Sequence, residues 1–77
     1  MTTDAVNVIL DKAWEIKAHA FLFVDKMTFD INSEEYNWEV YDALDVLCIF
    51  NKKTKIETYL SVDYISEIAV KIPTKGS

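Results

Sequence analysis

The side chains that could serve as nucleophile, base or metal ligand are few and scattered along this chain. Its 77 residues include one cysteine (Cys48), one histidine (His19) and eight lysines, but no arginine. The single glycine, Gly76, lies in the tail, so no glycine-rich loop can hold a phosphate. A lone histidine is a poor metal site, and Cys48 has no base close to it in sequence. The composition therefore predicts a protein that is not an enzyme and uses no metal or other cofactor.

Three aspartates are the other candidates for acid–base or metal chemistry. Asp42, Asp45 and Asp63 would converge if the turns that carry them lie at one end of the molecule. A metal site needs several carboxylates within reach of one ion, and the sequence has neither calcium-loop spacing nor a His–Glu motif. We therefore interpret these aspartates as solvated residues of turns and caps.

The charge of the chain is strongly acidic. A net charge of −5 disfavours nucleic acid and anionic membranes and favours a basic protein partner. Strand alternation would place several carboxylates on one candidate acidic face, made of Asp30, Glu34, Glu35, Glu39, Asp42 and Asp45. Such a face either keeps a hydrophobic small protein soluble, which is the favoured interpretation, or occupies a basic groove meant for nucleic acid.

The only basic cluster is a candidate basic loop formed by Lys52, Lys53 and Lys55. Lysines at a hairpin tip discourage edge-to-edge aggregation, and this is the favoured interpretation. The alternative is weak contact with phosphates or with an acidic partner.

Aromatic residues are the strongest functional signal. Four Phe, four Tyr and two Trp are more large rings than a 77-residue monomer can easily bury, so we expect some to face a partner or a second copy. Tyr and Trp are preferred anchors of protein interfaces and can also stack nucleic-acid bases. The candidate partner-binding residues are Tyr36, Trp38, Tyr41, Tyr59 and Tyr64. Packing within the fold is the competing interpretation.

The compartment is inferred from cysteine usage and hydropathy. One cysteine excludes an internal disulfide framework, and its position in an apolar run indicates a buried structural thiol. Nothing resembles a signal peptide, and no apolar run approaches the roughly 20 residues of a membrane span. The sequence therefore predicts a cytoplasmic location without membrane association.

The pattern of apolar residues predicts an N-terminal helix followed by strands. Helical spacing covers residues 4–17, and the predicted strands are 19–24, 27–32, 36–50, 56–60 and 65–72, with a break or a bend at 42–45. The fold class is α+β: one domain of residues 1–72 with a five-stranded, strongly bent antiparallel sheet or small barrel, Sm-like or SH3-like. An open sheet with the helix on one face is the alternative. Residues 73–77 are predicted to be a polar tail.

Three segments resemble the Sm-like family, which includes the bacterial RNA-chaperone family Hfq. Residues 21–29 look like the first hairpin of that family, 41–47 like the entry to its third strand, and 58–68 like its last two strands. The resemblance implies a ring-forming, RNA-binding barrel. The family's hairpin glycine is replaced around Asp25 and Lys26, and Leu60 and Ser61 stand where it has a basic residue and a glycine. Binding of RNA or a nucleotide is therefore left open.

Two hypotheses from different classes follow from these patterns. The first is a non-catalytic binding module that forms a homo-oligomer through sheet edges or aromatic surface. The second is a small acidic inhibitor, of the phage anti-defence or nucleic-acid-mimic type, that blocks a basic host protein.

Overall fold

A helix precedes six strands in the computed structural model, which describes residues 1–74. Its elements are α1 (Thr3–Glu15), β1 (His19–Val24), β2 (Met27–Ile31), β3 (Tyr36–Tyr41), β4 (Val46–Asn51), β5 (Glu57–Ser61) and β6 (Ile65–Lys71). A first 3-10 turn, Asp42–Leu44, joins β3 to β4, and a second, Val62–Tyr64, joins β5 to β6. Part of the predicted tail, residues 75–77 with Gly76, lies outside the described residues.

The strands form two three-stranded antiparallel sheets, with the orders β2-β1-β6 and β3-β4-β5. The α+β class is therefore confirmed. The expected single five-stranded sheet or barrel is wrong, because within residues 1–74 six strands divide between two sheets that no ladder joins. The first sheet is hereafter sheet A and the second is sheet B.

The sixth strand arises at residues 42–45, where the predicted strand 36–50 allowed either a break or a bend. The chain leaves the extended conformation in the first 3-10 turn, and Asp45 takes a left-handed conformation with φ of 52°. Neither conformation can continue a β-ladder. The strand is therefore interrupted, and β4 folds back along β3 with Tyr41 opposite Val46.

The core between the helix and the sheets is aliphatic. Helix α1 contacts β1 and β6 of sheet A and β3 of sheet B. Its buried residues are Val6, Leu10 and Ala13, and the sheets contribute Ala20, Leu22, Ile31, Leu47, Ile49 and Ile65 to the same cluster. None of the ten aromatic side chains is fully buried. The large rings therefore surround the core rather than fill it.

The helix ends in a Schellman motif without glycine. The Ala18 N–H donates to the Ala13 carbonyl at 2.8 Å, and the Lys17 N–H donates to the Trp14 carbonyl at 3.2 Å. This geometry requires a left-handed residue, and Lys17 supplies it with φ of 56°. A side chain with a Cβ is strained there, because the Cβ approaches the following carbonyl oxygen.

Replacing Lys17 with glycine should therefore stabilise the protein. We expect Lys17→Gly to raise the free energy of unfolding by about 1 kcal/mol, since glycine has no Cβ to clash in the left-handed region. Urea denaturation followed by circular dichroism measures the change. Lys17→Ala is the control, because it removes the same charge but keeps the Cβ. Equal stability of the two variants would contradict the strain argument.

Two asparagines build equivalent turns at one end of the molecule. The Asn32 side-chain oxygen accepts hydrogen bonds from the Glu34 and Glu35 N–H groups at 3.0 and 3.1 Å. The Asn51 oxygen accepts in the same way from the N–H groups two and three residues further on, at 2.9 and 3.1 Å. The turns touch, because the Lys52 N–H donates to the Glu35 carbonyl at 2.9 Å. Asn32 is buried, whereas the Asn51 bonds are exposed.

This difference in burial predicts that replacement by alanine lowers the stability of the protein more at Asn32 than at Asn51. Asn32→Ala should destabilise the protein by about 1–3 kcal/mol, because two partly buried N–H groups lose their acceptor. Asn51→Ala should cost less, since water can replace the exposed bonds. Thermal or urea unfolding of both variants provides the comparison. An Asn51 variant that is the less stable of the two would contradict the prediction.

Candidate binding surface

The candidate site is the side of sheet B that faces away from the core. Because side chains alternate along each strand, the register of β3, β4 and β5 places nine residues on this side in three rows. The rows are Tyr41–Val46–Ser61, Glu39–Cys48–Tyr59 and Asn37–Phe50–Glu57. We call these nine residues the outer face.

Cys48 lies at the centre of the outer face. Its neighbours along β4, Leu47 and Ile49, belong to the core cluster, so the cysteine side chain lies on the opposite side of the strand. Nevertheless it is only 5% exposed, because surrounding residues of the outer face cover it. The thiol is free and buried, as the sequence predicted. Burial raises the pKa of the Cys48 thiol above its ordinary value.

The electrostatics of the outer face are dominated by two carboxylates. Glu39 and, to a smaller extent, burial raise the pKa of Tyr41. The pKa of Tyr59 is raised chiefly by Glu57, to which its hydroxyl donates at 3.4 Å. No lysine is among the nine residues. The face therefore combines neutral aromatic rings with concentrated negative charge.

A shallow depression of about 160 Å³ lies in this face. It is lined by Asn37, Trp38, Glu39, Tyr41, Cys48, Phe50 and Glu57. At its margin the Lys55 ammonium lies 6.0 Å from the centre of the Phe50 ring, within the range of a cation–π contact. The depression therefore offers carboxylates and a ring that already attracts a cation.

The structure separates the aromatic residues that the sequence grouped together. Tyr41 and Tyr59 lie on the outer face. Tyr36 and Trp38 point to the other side of β3 and pack against the core. There the Trp38 ring meets Trp14 edge to face, with centroids 6.2 Å apart.

Tyr64 belongs to neither side of sheet B. It lies in the second 3-10 turn, where it is 71% exposed. With Val24, Asp25, Asp63 and Ser66 it borders an open depression of about 550 Å³ beside the β1–β2 turn.

The six carboxylates of the candidate acidic face do not share one side of the molecule. They lie on sheet A (Asp30), in the Asn32 turn (Glu34, Glu35), on the outer face (Glu39) and in and after the first 3-10 turn (Asp42, Asp45). The Asp30 carboxylate is 2.8 Å from the His19 Nδ1 atom. A continuous stripe would have needed all six in strands of one sheet, and turns carry four of them.

The candidate basic loop lies against part of this acidic set. Lys52 and Lys53 occupy the β4–β5 turn, and the Lys52 ammonium donates to the Ser33 carbonyl at 2.9 Å, beside Glu34 and Glu35. Lys55 takes φ of 64° and reaches Phe50. The Lys52 and Lys55 side chains therefore face a carbonyl and a ring of the same chain.

The two 3-10 turns do lie side by side, because the Val62 N–H donates to the Asp45 carbonyl at 2.9 Å. This is the condition under which Asp42, Asp45 and Asp63 could converge. Across residues 1–74, however, no three potential ligands of the His, Cys, Asp and Glu types come close enough to hold a metal ion.

Of the residues that line the depression, Asn37, Phe50 and Glu57 are not among the candidates predicted from the sequence. The signal was present: a hairpin turn at 51–56 pairs Phe50 with Glu57. Counting alternate positions from there reaches Cys48 and Tyr59 on the same side of the sheet. What was missing was the register of β3 against β4, which depends on the 3-10 turn.

Comparison with known proteins does not assign the chain to a family. No protein-family model, curated protein or solved structure matches it. Over residues 1–74, the one α-helix is too short and too polar to cross a membrane.

The raised pKa values predict a loss of stability at alkaline pH. The folded state holds the protons of Tyr41, Cys48 and Tyr59 more tightly than the unfolded chain does. Their stabilisation is therefore complete below the ordinary pKa values of 9.0 for Cys and 10.0 for Tyr, and is lost as pH rises through the folded values. The unfolding temperature should fall over this range in a pH series.

Glu57→Gln tests the cause of the effect. Because Glu57 is the main cause of the raised Tyr59 pKa, this variant should lose less stability between neutral and alkaline pH than the unmodified protein. Glu67→Gln, on sheet A, removes the same charge at a distant strand and should follow the unmodified protein. Identical curves for the two variants would contradict the assignment to Glu57.

Proposed function

We propose that this protein is a non-catalytic binding module that self-associates through the free edges of β5 and β6. The observation that carries the proposal is the position of exposed apolar residues. Among the described residues, four of the seven large apolar side chains that are exposed lie in or beside these two strands: Ile56, Tyr59, Tyr64 and Ile72. Contiguous exposed apolar surface is typical of an interaction site, and pairing of β5 of one copy with β6 of another would bring these side chains together in one contact.

The backbone of the same segment can accept another strand. Within residues 1–74, β5 pairs only with β4, and β6 pairs only with β1. The Asn51 N–H donates to the Ile56 carbonyl at 2.9 Å, so Ile56 is bonded to β4 through its backbone. Because this bonding alternates along an antiparallel strand, the backbone N–H and C=O groups of Glu57, Tyr59 and Ser61 point away from β4. An edge with unpaired N–H and C=O groups is a template for a further strand.

The proposal includes an Sm-like relationship, and the order of the elements supports this part of it. A helix comes first, and a short 3-10 turn separates the last two strands. If β5 of one copy pairs with β6 of the next, the contact is head to tail and closes into a ring when the rotation fits. RNA is not required as a partner, because the basic loop has only three lysines in a chain of charge −5.

Light scattering at low and high salt tests the self-association directly. We expect a mass several times that of one chain at both salts, because the contact consists of backbone hydrogen bonds and apolar surface. The double variant Tyr64→Lys and Ile72→Lys should shift the protein toward the monomer by placing two cations in the contact.

A matched double variant controls for added charge. Val8 on α1 and Met27 on β2 are exposed to a similar degree, at 68% and 60% against 71% and 60% for Tyr64 and Ile72. Val8→Lys with Met27→Lys should therefore leave the mass unchanged. A monomeric unmodified protein at high concentration, or equal dissociation of both double variants, would contradict the proposal.

The second candidate function is a small acidic inhibitor of a basic, nucleic-acid-handling protein. The outer face favours it, because Glu39 and Glu57 stand there among aromatic rings, and Lys55 at the margin is, within residues 1–74, the one lysine that the structure places against them. Salt-sensitive binding to such a protein, in competition with DNA or RNA, separates this function from self-association. Absence of that competition would count against it.

A further inference from the structure

We propose that the outer face of sheet B binds an arginine side chain of a basic partner protein, in the depression between Glu39 and Glu57. The proposal deepens the binding function and rests on it, but it does not depend on self-association. It concerns the flat side of the sheet, whereas self-association concerns the edges of β5 and β6, and Tyr59 is the residue that the two surfaces share.

The two carboxylates are placed to hold one cation between them. Glu39 on β3 and Glu57 on β5 are exposed and flank the central strand from opposite sides. With neighbouring strands about 4.8 Å apart, their backbones are separated by on the order of 10 Å, which two flexible side chains can span around a guanidinium. A guanidinium has five N–H donors in a planar fork, so it can bond both carboxylates at once.

The floor of the depression suits a planar cation. The Phe50 ring already receives the Lys55 ammonium at 6.0 Å, and Tyr41 lines the same depression. A guanidinium is less strongly hydrated than an ammonium and stacks on aromatic rings as well as attracting them electrostatically. An arginine entering over Phe50 would therefore compete with Lys55 for the ring.

The occupant must come from another kind of protein. This chain contains no arginine, so a second copy could offer only lysine. A depression of about 160 Å³ has room for the head of one side chain. The net charge of −5 attracts basic partners, and at this face Glu39 and Glu57 supply the negative charge that raises the pKa of Tyr41 and Tyr59.

Nuclear magnetic resonance titration with short basic peptides tests the site. We expect an arginine hexapeptide at low ionic strength to shift the amide signals of Glu39, Cys48, Phe50 and Glu57. A lysine hexapeptide should bind several-fold more weakly. The double variant Glu39→Gln and Glu57→Gln should weaken arginine binding by about tenfold, the loss expected for hydrogen bonds to charged groups.

The control removes the same charge elsewhere. Glu34→Gln with Glu67→Gln changes the Asn32 turn and sheet A, where Glu67 stands opposite Phe23, and should alter the affinity by less than about twofold. Equal weakening by both double variants, equal affinity for the two peptides, or signal shifts confined to other surfaces would each overturn the proposal.

Light scattering on the same samples separates this proposal from self-association. A protein that remains oligomeric but does not bind the arginine peptide overturns the arginine site alone. A monomeric protein that binds the peptide at the outer face supports the arginine site, while self-association fails.

Discussion

Burial of aliphatic side chains between α1 and both sheets is the interaction on which this fold depends. No backbone ladder joins sheet A to sheet B within residues 1–74, so strand pairing does not hold the sheets together. Helix α1 reaches both, through Val6, Leu10 and Ala13, and none of these three side chains is exposed. At about 25 cal/mol per Å² of apolar surface removed from water, this burial is the main stabilising contribution available to so small a domain.

The same packing explains why the surface is aromatic. Small and medium aliphatic residues occupy the core-facing side of β1 and β4, such as Ala20, Leu22 and Leu47. The larger rings then fall on the other side or at the periphery of the core, where Phe50 and Tyr59 form part of the outer face. Aromatic residues therefore provide both the rim of the core and the surface available to a partner.

Some of this arrangement was predictable from local patterns. The helix, the strand 19–24 and the α+β class follow from apolar periodicity, which depends only on neighbouring residues. The division of residues 36–50 into two strands was not predictable in this way, because the sequence allowed either a break or a bend at 42–45. The outcome depends on Asp45 adopting a left-handed conformation while its carbonyl accepts the Val62 N–H, a contact between residues 17 positions apart.

The sequence by itself determined which reactive, charged and aromatic side chains are present: thirteen acidic residues, eight lysines, no arginine and ten aromatic residues. It also determined where turns would form, since Asn32 and Asn51 accept bonds from N–H groups only two and three residues away. Only the tertiary structure decided which of these residues share a surface. Glu39, Cys48 and Tyr59 became neighbours through strand register, and the acidic residues separated because most of them lie in turns. The physical reason is that register is fixed by the whole core and by the turns together, whereas composition and turn chemistry are local.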